Sequence, residues 1–281
     1  MINNLFLSVG AMKAGTTWLY ERLKDHPDVS FTQEKEIHYF ANKVGIENQL
    51  NHHSRILKLK SILNKYGGGN PKYIAENIQE ISWYVNYAKP NSISNEWYIS
   101  LFDDPQSEKY CADFSNLYCQ MSSDGWENVH KTSRKTRVIY TLRDPMQRLW
   151  SHYKFHHKWT GKEDSVLDDG FEVFKDTLSK PWFYKNMDYA GNLKKVYAGV
   201  GQENVLLLYF EDFRSNPQLE ADKISSFLGI SQIHINEEDN NKKVNSTKGY
   251  GMPDEWREYA ANQLSDYISE MKDFNIFHES W

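Results

Sequence analysis

Three short apolar runs stand out along the chain: Leu5–Val9, Val138–Leu142 and Val205–Phe210. None alternates apolar with polar positions as a half-solvated strand does. Each therefore reads as a strand buried on both faces, the habit of parallel sheets. Helical spacing follows each run. After the first comes a glycine-containing turn and a helix from Thr16 to Lys24, with Leu19 and Leu23 on one face and Pro27 as its stop. After the second, Pro145 suits the first turn of a helix reaching about His157, because the first turn leaves its N–H groups unbonded anyway. After the third, Asn216-Pro217 opens a helix that aligns Ala221, Ile224 and Leu228, and Gly229 closes it in the C′ position. Repeated strand, turn and helix predict one α/β domain over residues 1–281, with a central, mostly parallel sheet flanked by helices. Gly67-Gly68-Gly69-Asn70-Pro71 and the polar stretch Asn236 to Asn245 read as surface loops. In such sheets ligands bind at the carboxyl ends of the strands, so the chemistry is expected just after Val9 and just after Leu142.

Composition narrows the field. With 281 residues, 40% hydrophobic and 15% aromatic, the chain is large and apolar enough to bury a core without staples. Lys plus Arg number 33 against 38 Asp plus Glu, a formal charge of −5. That balance argues against broad nucleic-acid binding, which needs a dominant cationic surface, yet leaves room for a local basic pocket. Two cysteines, Cys111 and Cys119, exclude a disulfide scaffold and a zinc ribbon, and read as free thiols of a reducing compartment. No apolar run approaches the roughly 18–20 residues of a membrane span. The N-terminus has no signal-peptide pattern, so a soluble, cytoplasmic protein is expected.

The segment Gly10-Ala11-Met12-Lys13-Ala14-Gly15-Thr16-Thr17 joins a strand to a helix. Successive N–H groups at a helix N-terminus make an anion site, and the glycines allow close backbone approach. Thr16 and Thr17 add hydroxyls and Lys13 adds charge. The Gly10–Gly15 spacing is that of a nucleoside-triphosphate P-loop, but that pattern wants Gly-Lys-Ser/Thr, and here the lysine precedes Gly15 by two residues. Such a lysine meets a group nearer the middle of the anion. A second anion site is expected in Arg137 to Tyr153. Arg143 stands at the strand's carboxyl end, and Ser151 shares a helix face with Arg148 at i and i+3. A guanidinium plus a hydroxyl suits a phosphate monoester. Two such sites suit a ligand with two phosphate-like ends.

Together these segments resemble the sulfotransferases that use 3′-phosphoadenosine 5′-phosphosulfate (PAPS). The first loop looks like that family's 5′-phosphosulfate loop, and Arg143 with Ser151 looks like its 3′-phosphate motif. Tyr209-Phe210-Glu211-Asp212-Phe213, Asn216-Pro217 and Phe227-Leu228-Gly229-Ile230 are similar to the family's C-terminal half. Lys248-Gly249 looks like the late Lys-Gly that closes over the 3′-phosphate. The likeness covers roughly residues 3–252, with no matching motif from Asn42 to Tyr110. It is nearest to the carbohydrate (heparan-type) and bacterial branch, through Glu34-Lys35-Glu36-Ile37-His38-Tyr39-Phe40. One departure is Phe114, in Ala112-Asp113-Phe114-Ser115, where heparan enzymes often carry a lysine that contacts substrate.

The resemblance implies a P-loop-like sulfotransferase fold and in-line sulfuryl transfer from PAPS to a hydroxyl or amine, without a metal, releasing adenosine 3′,5′-bisphosphate (PAP). Lys13 would neutralise charge on the bridging oxygen, and the N–H groups of Gly15, Thr16 and Thr17 would hold the 5′-phosphate. Ala14 belongs to the same loop, and Trp18 packs either beside the cofactor or in the core. Glu36 falls on the family's general base. His38 is the rival, because on a strand Glu36 and His38 face one side. Lys35 is a candidate substrate contact if its segment is a loop. His152 and His156 have the i, i+4 spacing of a helical metal pair but no third ligand. Trp83, Tyr84 and Trp97 are candidates for a sugar-stacking surface. Carbohydrate is the expected acceptor, ahead of a lipid or polyketide alcohol and of protein tyrosine. The competing readings are an ATP-dependent P-loop kinase or NTPase, and an anion-binding module without catalysis.

Overall fold

The three apolar runs form the middle and one side of a five-stranded parallel sheet. The computed structural model describes residues 1–67, 71–90, 93–236 and 249–281. The strands are β1 (Ile2–Ser8), β2 (Val29–Phe31), β3 (Tyr110–Asp113), β4 (Ser133–Leu142) and β5 (Val205–Tyr209), in the order β2-β3-β1-β4-β5. All neighbours run parallel, with Leu5 opposite Cys111, Leu7 opposite Val138, and Leu142 opposite Tyr209. Helix α1 (Thr16–Leu23) follows β1. Between β2 and β3 lie α2 (Tyr39–Lys43), α3 (His52–Tyr66), α4 (Pro71–Glu76), α5 (Ile78–Tyr87) and α6 (Asn95–Ile99). Helix α7 (Ser123–Thr132) joins β3 to β4. After β4 come α8 (Pro145–Trp159), α9 (Gly170–Ser179), α10 (Pro181–Tyr184) and α11 (Tyr189–Val200). Helices α12 (Phe210–Ser215), α13 (Pro217–Leu228) and α14 (Asp254–Asp273) follow β5.

Side-chain alternation along β1 builds both halves of the core. Leu5 and Leu7 face a cluster with Tyr118, Trp126, Tyr140 and Leu193, while Phe6 faces Leu19, Leu23, Ile139, Leu208 and Ile224. A third cluster joins α8, α9 and α14 through Leu149, Tyr153, Phe174 and Trp256. Each of these fully buried large side chains stabilises the fold by about 1.5–3 kcal/mol relative to exposure. Cys111 and Cys119 are free thiols, both buried. No described helix is long and apolar enough to cross a membrane.

Three local differences from the sequence reading have physical causes. β4 starts at Ser133, because its first half carries exposed Arg134 and Lys135 and gives no apolar signal. Phe210 opens α12 instead of ending β5, where Glu211 and Asp212 favour a helix N-terminus. β2 and β3 are too short to show a pattern, and β3 ends in the buried carboxylate of Asp113. Helix α1 buries Leu19 and Leu23, and α13 buries Ala221, Ile224 and Leu228 and ends at Gly229 with φ 68°. Gly67 closes α3 and Pro71 opens α4, while Gly68 to Asn70 lie outside the described residues. So does most of the predicted loop from Asn236 to Asn245.

Candidate active site

The sheet order sets the carboxyl ends of β1 and β4 side by side. Backbone bonds then fasten the first loop to the end of β4. Ala11 N–H donates to the Thr141 carbonyl at 2.7 Å, and Thr141 N–H donates to the Gly10 carbonyl at 2.8 Å. The loop's shape needs glycine at two positions. A Cβ on Gly10 (φ 128°) would sit 2.9 Å from the Asn116 carbonyl oxygen, and one on Gly15 (φ 95°) would sit 2.8 Å from the Phe210 ring. Lys13 itself is left-handed at φ 68°. Ala14 is buried, and Thr16 and Thr17 open α1 half-buried.

The Lys13 side chain is turned toward α8. Its ammonium lies 4.3 Å from the centre of the Phe155 ring. Burial, then the charges of Arg143, Lys158 and Lys35, pull its pKa down to about 8, and Glu36 opposes them. Arg143 reaches the same loop from β4. Its Nη1 donates to the Lys13 carbonyl at 3.2 Å, its guanidinium covers the Phe210 ring at 4.6 Å, and its buried Nε has no partner among the described residues. Burial also pulls the Arg143 pKa down. Ser151 stands half-buried two turns into α8. Arg148, which shares a helix face with Ser151, is fully buried, with Nη1 3.4 Å from His152 Nδ1. Trp18 stacks on Phe213, centroids 4.4 Å apart. Gly249 is exposed, and Lys248 lies outside the described residues.

Facing this loop is the segment from Glu34 to His38. It is irregular, not a strand, so the expected alternation does not place its side chains. Glu34 anchors it by accepting from the Tyr84 hydroxyl at 2.9 Å and pairing with Lys58. His38 adopts φ 59° and its N–H donates to Ser115 Oγ at 2.8 Å. This turn, not strand geometry, brings His38 Nε2 within 3.2 Å of Glu36 Oε2, which also accepts from Asn116 Nδ2 at 3.2 Å. His38 Nδ1 is buried without a partner among the described residues. Lys35 Nζ donates to Thr17 Oγ1 at 3.2 Å and sits 5.4 Å from the centre of the Tyr20 ring. Burial lowers its pKa.

Lys13, Lys35, Glu36, Thr17 and Arg143 thus meet at one end of the sheet. The sulfotransferase family profile matches residues 6–234. The chain belongs to the sulfotransferase family. Carbohydrate sulfotransferase 15 from mouse is 25% identical over 259 residues and the human protein 26% over 268. Each match covers 83% of this chain, which spans only 45% of the length of those relatives. A sulfotransferase from Alicyclobacillus acidocaldarius has the same fold, with a TM-score of 0.66 at 19% identity, covering 100% of this chain and 98% of that one. The sulfotransferase domain of the Synechococcus olefin synthase aligns with a TM-score of 0.52 at 14% identity, covering 99% and 96%.

Several residues around this candidate site had no role assigned from the sequence. Asn116 and Ser115 follow β3, and with β3 unseen its carboxyl end was unseen too. Asp113 accepts from Ser115 Oγ at 2.6 Å, Tyr118 OH at 2.7 Å and Tyr98 OH at 3.1 Å, a buried hub beneath the Glu36 segment. Phe155 had a usable signal, lying four residues after Ser151 on α8. Phe114 is packed against Phe6, Tyr20 and Phe31 in the core, so no substrate contact comes from that position. Trp83 stacks on Tyr87 and donates to the Leu101 carbonyl, and Trp97 donates to the Asn86 carbonyl. With Tyr84 held by Glu34, these rings tie α5 to α6, and Trp83 and Trp97 stay partly exposed. His152 stacks on Phe183, and His156 packs on Trp182.

Proposed function

We propose that this chain is a PAPS-dependent sulfotransferase that moves a sulfuryl group to a hydroxyl or amine of a carbohydrate, with Glu36 as general base. The observation that carries this reading is the half-desolvated Lys13 ammonium, crowded by Arg143, Lys158 and Lys35 in a loop that offers successive N–H groups. Such a cluster is complementary to an anion, and the buried, unpartnered Nε of Arg143 points the same way. PAPS supplies the sulfuryl group, joined to its 5′-phosphate. Lys13 and the N–H groups of Gly15, Thr16 and Thr17 would hold that end, with Arg143, Ser151 and Gly249 toward the 3′-phosphate and Trp18 beside the adenosine.

In the transfer, an acceptor oxygen or nitrogen bonds to sulfur as the bond from sulfur to the bridging oxygen breaks. Lys13 neutralises charge on that oxygen, and Glu36 takes the acceptor's proton. Two N–H donors hold the Glu36 carboxylate while leaving it 34% exposed. With Nε2 paired to Glu36 and Nδ1 enclosed, His38 would orient the base. The carbohydrate acceptor is supported by the names of the relatives and by the Glu36 segment.

The test is thermal unfolding with added ligand. PAP without metal is expected to raise the melting temperature by on the order of 5 °C at saturating concentration. Stabilisation by ATP and magnesium alone would overturn the donor assignment.

Lys35 is read here on the donor side. A phosphate oxygen bonded to Thr17 Oγ1 lies within reach of an ammonium already 3.2 Å from that hydroxyl. Lys35→Met is expected to weaken PAP about tenfold and to leave adenosine 3′-monophosphate, which lacks the 5′-phosphate, unchanged. Calorimetric titration of both nucleotides checks this. Equal losses for the two would mean that Lys35 shapes the site without meeting the 5′-phosphate.

A further inference from the structure

Two backbone N–H groups of the turn after Glu36 lead, through one hydroxyl each, to a single buried carboxylate. His38 N–H donates to Ser115 Oγ at 2.8 Å, and Phe40 N–H donates to the Tyr118 hydroxyl at 3.4 Å. Ser115 Oγ in turn donates to Asp113 Oδ1 at 2.6 Å, and the Tyr118 hydroxyl donates to Oδ2 at 2.7 Å. Tyr98, from α6, adds a third donor to Oδ2 at 3.1 Å. Asp113, Ser115 and Tyr118 are all fully buried. Phe114 packs in the cluster around Phe6, so Asp113 and Ser115 share the opposite face, beneath the turn. Burial pushes the Asp113 pKa up, and the bonds from Ser115 and Tyr118 act against that rise. A hydroxyl has one hydrogen and can also accept, whereas an ionised carboxylate only accepts. Asp113 therefore draws the hydrogens of Ser115 and Tyr118 toward itself and leaves their lone pairs facing the two N–H groups.

Resting on the reading of Glu36 as base, we propose that Asp113 is a positioning residue for the transfer. By fixing the direction of both hydroxyls it holds His38 in its left-handed turn, and His38 in turn holds the Glu36 carboxylate. The turn needs such a hold. His38 stands at φ 59°, a costly region for a residue with a Cβ. It opens α2, a helix of only five residues, and its side chain makes no capping bond. The first N–H groups of a helix find no acceptor within it, so theirs must come from elsewhere in the fold. Asparagine in place of Asp113 keeps the shape but turns one acceptor into a donor. That donor claims the oxygen of one hydroxyl, whose hydrogen then faces a backbone N–H that also donates. The disturbance reaches Glu36 through His38 Nε2, 3.2 Å from Oε2. None of these bonds involves the donor loop, so PAP binding is expected to be spared.

The first readout needs no acceptor. Amide hydrogen exchange of the full, isotope-labelled chain is followed by NMR at His38 and Phe40, with Leu5 and Leu7 of β1 as references. Asp113→Asn is expected to speed exchange at His38 and Phe40 at least about tenfold beyond any change at the references. The second readout is transfer of radiolabelled sulfate from PAPS into pooled polysaccharide, lipid and protein acceptors. Asp113→Asn is expected to lower turnover about tenfold, as much as His38→Asn, with PAP affinity unchanged within about twofold. The double variant Asp113→Asn/His38→Asn should lose little more than either single one, because both act along one chain of bonds. If Asp113→Asn does not fold, Ser115→Ala decides: it deletes only the hydroxyl under His38, and is expected to speed exchange there and to lower turnover. Unchanged turnover in folded Asp113→Asn or Ser115→Ala would overturn the positioning role and leave Glu36 as base. Unchanged exchange at His38, or losses that multiply in the double variant, would do the same. Full turnover in Glu36→Gln would instead overturn the base reading on which the role rests.

Discussion

Replacing Lys13 by methionine is expected to cut sulfuryl transfer about 10²–10³-fold, the scale of removing one preorganised donor from developing negative charge. The same change should leave folding intact or strengthen it. Lys13 has a folded-state pKa of about 8 against an ordinary value of 10.5, set first by burial and then by Arg143, Lys158 and Lys35. A lysine depressed in this way costs stability in full below pH 8, and the cost is relieved as pH rises from about 8 toward the unfolded value. Methionine removes that cost at neutral pH. Function responds with the opposite sign: as Lys13 loses its proton above pH 8, the site loses attraction for a phosphate-bearing ligand. Wild-type affinity for PAP should therefore fall as pH rises from 7 to 9.5, and the part of that slope due to Lys13 should vanish in Lys13→Met. Turnover with PAPS, thermal melts at pH 7 and PAP titrations across this range check the three parts. A variant with near-normal turnover would remove Lys13 from the chemistry.

Glu36→Gln is expected to lower turnover about 10²–10⁴-fold, the range for loss of a general base, with PAP affinity unchanged within about twofold. Glutamine keeps the size and the bond from Asn116 but cannot accept the acceptor's proton. His38→Asn should cost less, about tenfold, because Asn116 still holds the carboxylate. The measurement is transfer of radiolabelled sulfate from PAPS into pooled acceptors, separated into polysaccharide, lipid and protein fractions. Label entering the polysaccharide fraction, lost in Glu36→Gln and reduced in His38→Asn, is the expected pattern. Loss in His38→Asn with activity kept in Glu36→Gln would move the base to His38. Label confined to the lipid or protein fraction would change the acceptor while keeping the reaction.

The donor loop was legible because its signal is local. Gly10, Lys13, Gly15, Thr16 and Thr17 lie within eight residues, between a strand and a helix whose apolar spacing each declare themselves. Arg143 and Ser151 were legible for the same reason, since a strand end and a helix face place them without reference to the rest of the chain. The base segment was legible only in its residue types. Its geometry came from a left-handed turn at His38 held by Ser115, 77 positions away, which no period-two argument contains.

By itself, then, the sequence determined the parallel α/β architecture, the order of strand, loop and helix around the candidate anion site, and the residue types gathered there. These follow from burial periodicity and from bonds between near neighbours in the chain. Only the tertiary structure decided that Lys35 turns to Thr17, that Asn116 and His38 hold Glu36, and that Trp159 and Trp182 stand open. Each of those outcomes depends on which distant segments the sheet order brings into contact. Pairing across the sheet is a property of the whole fold, and no window of the sequence carries it.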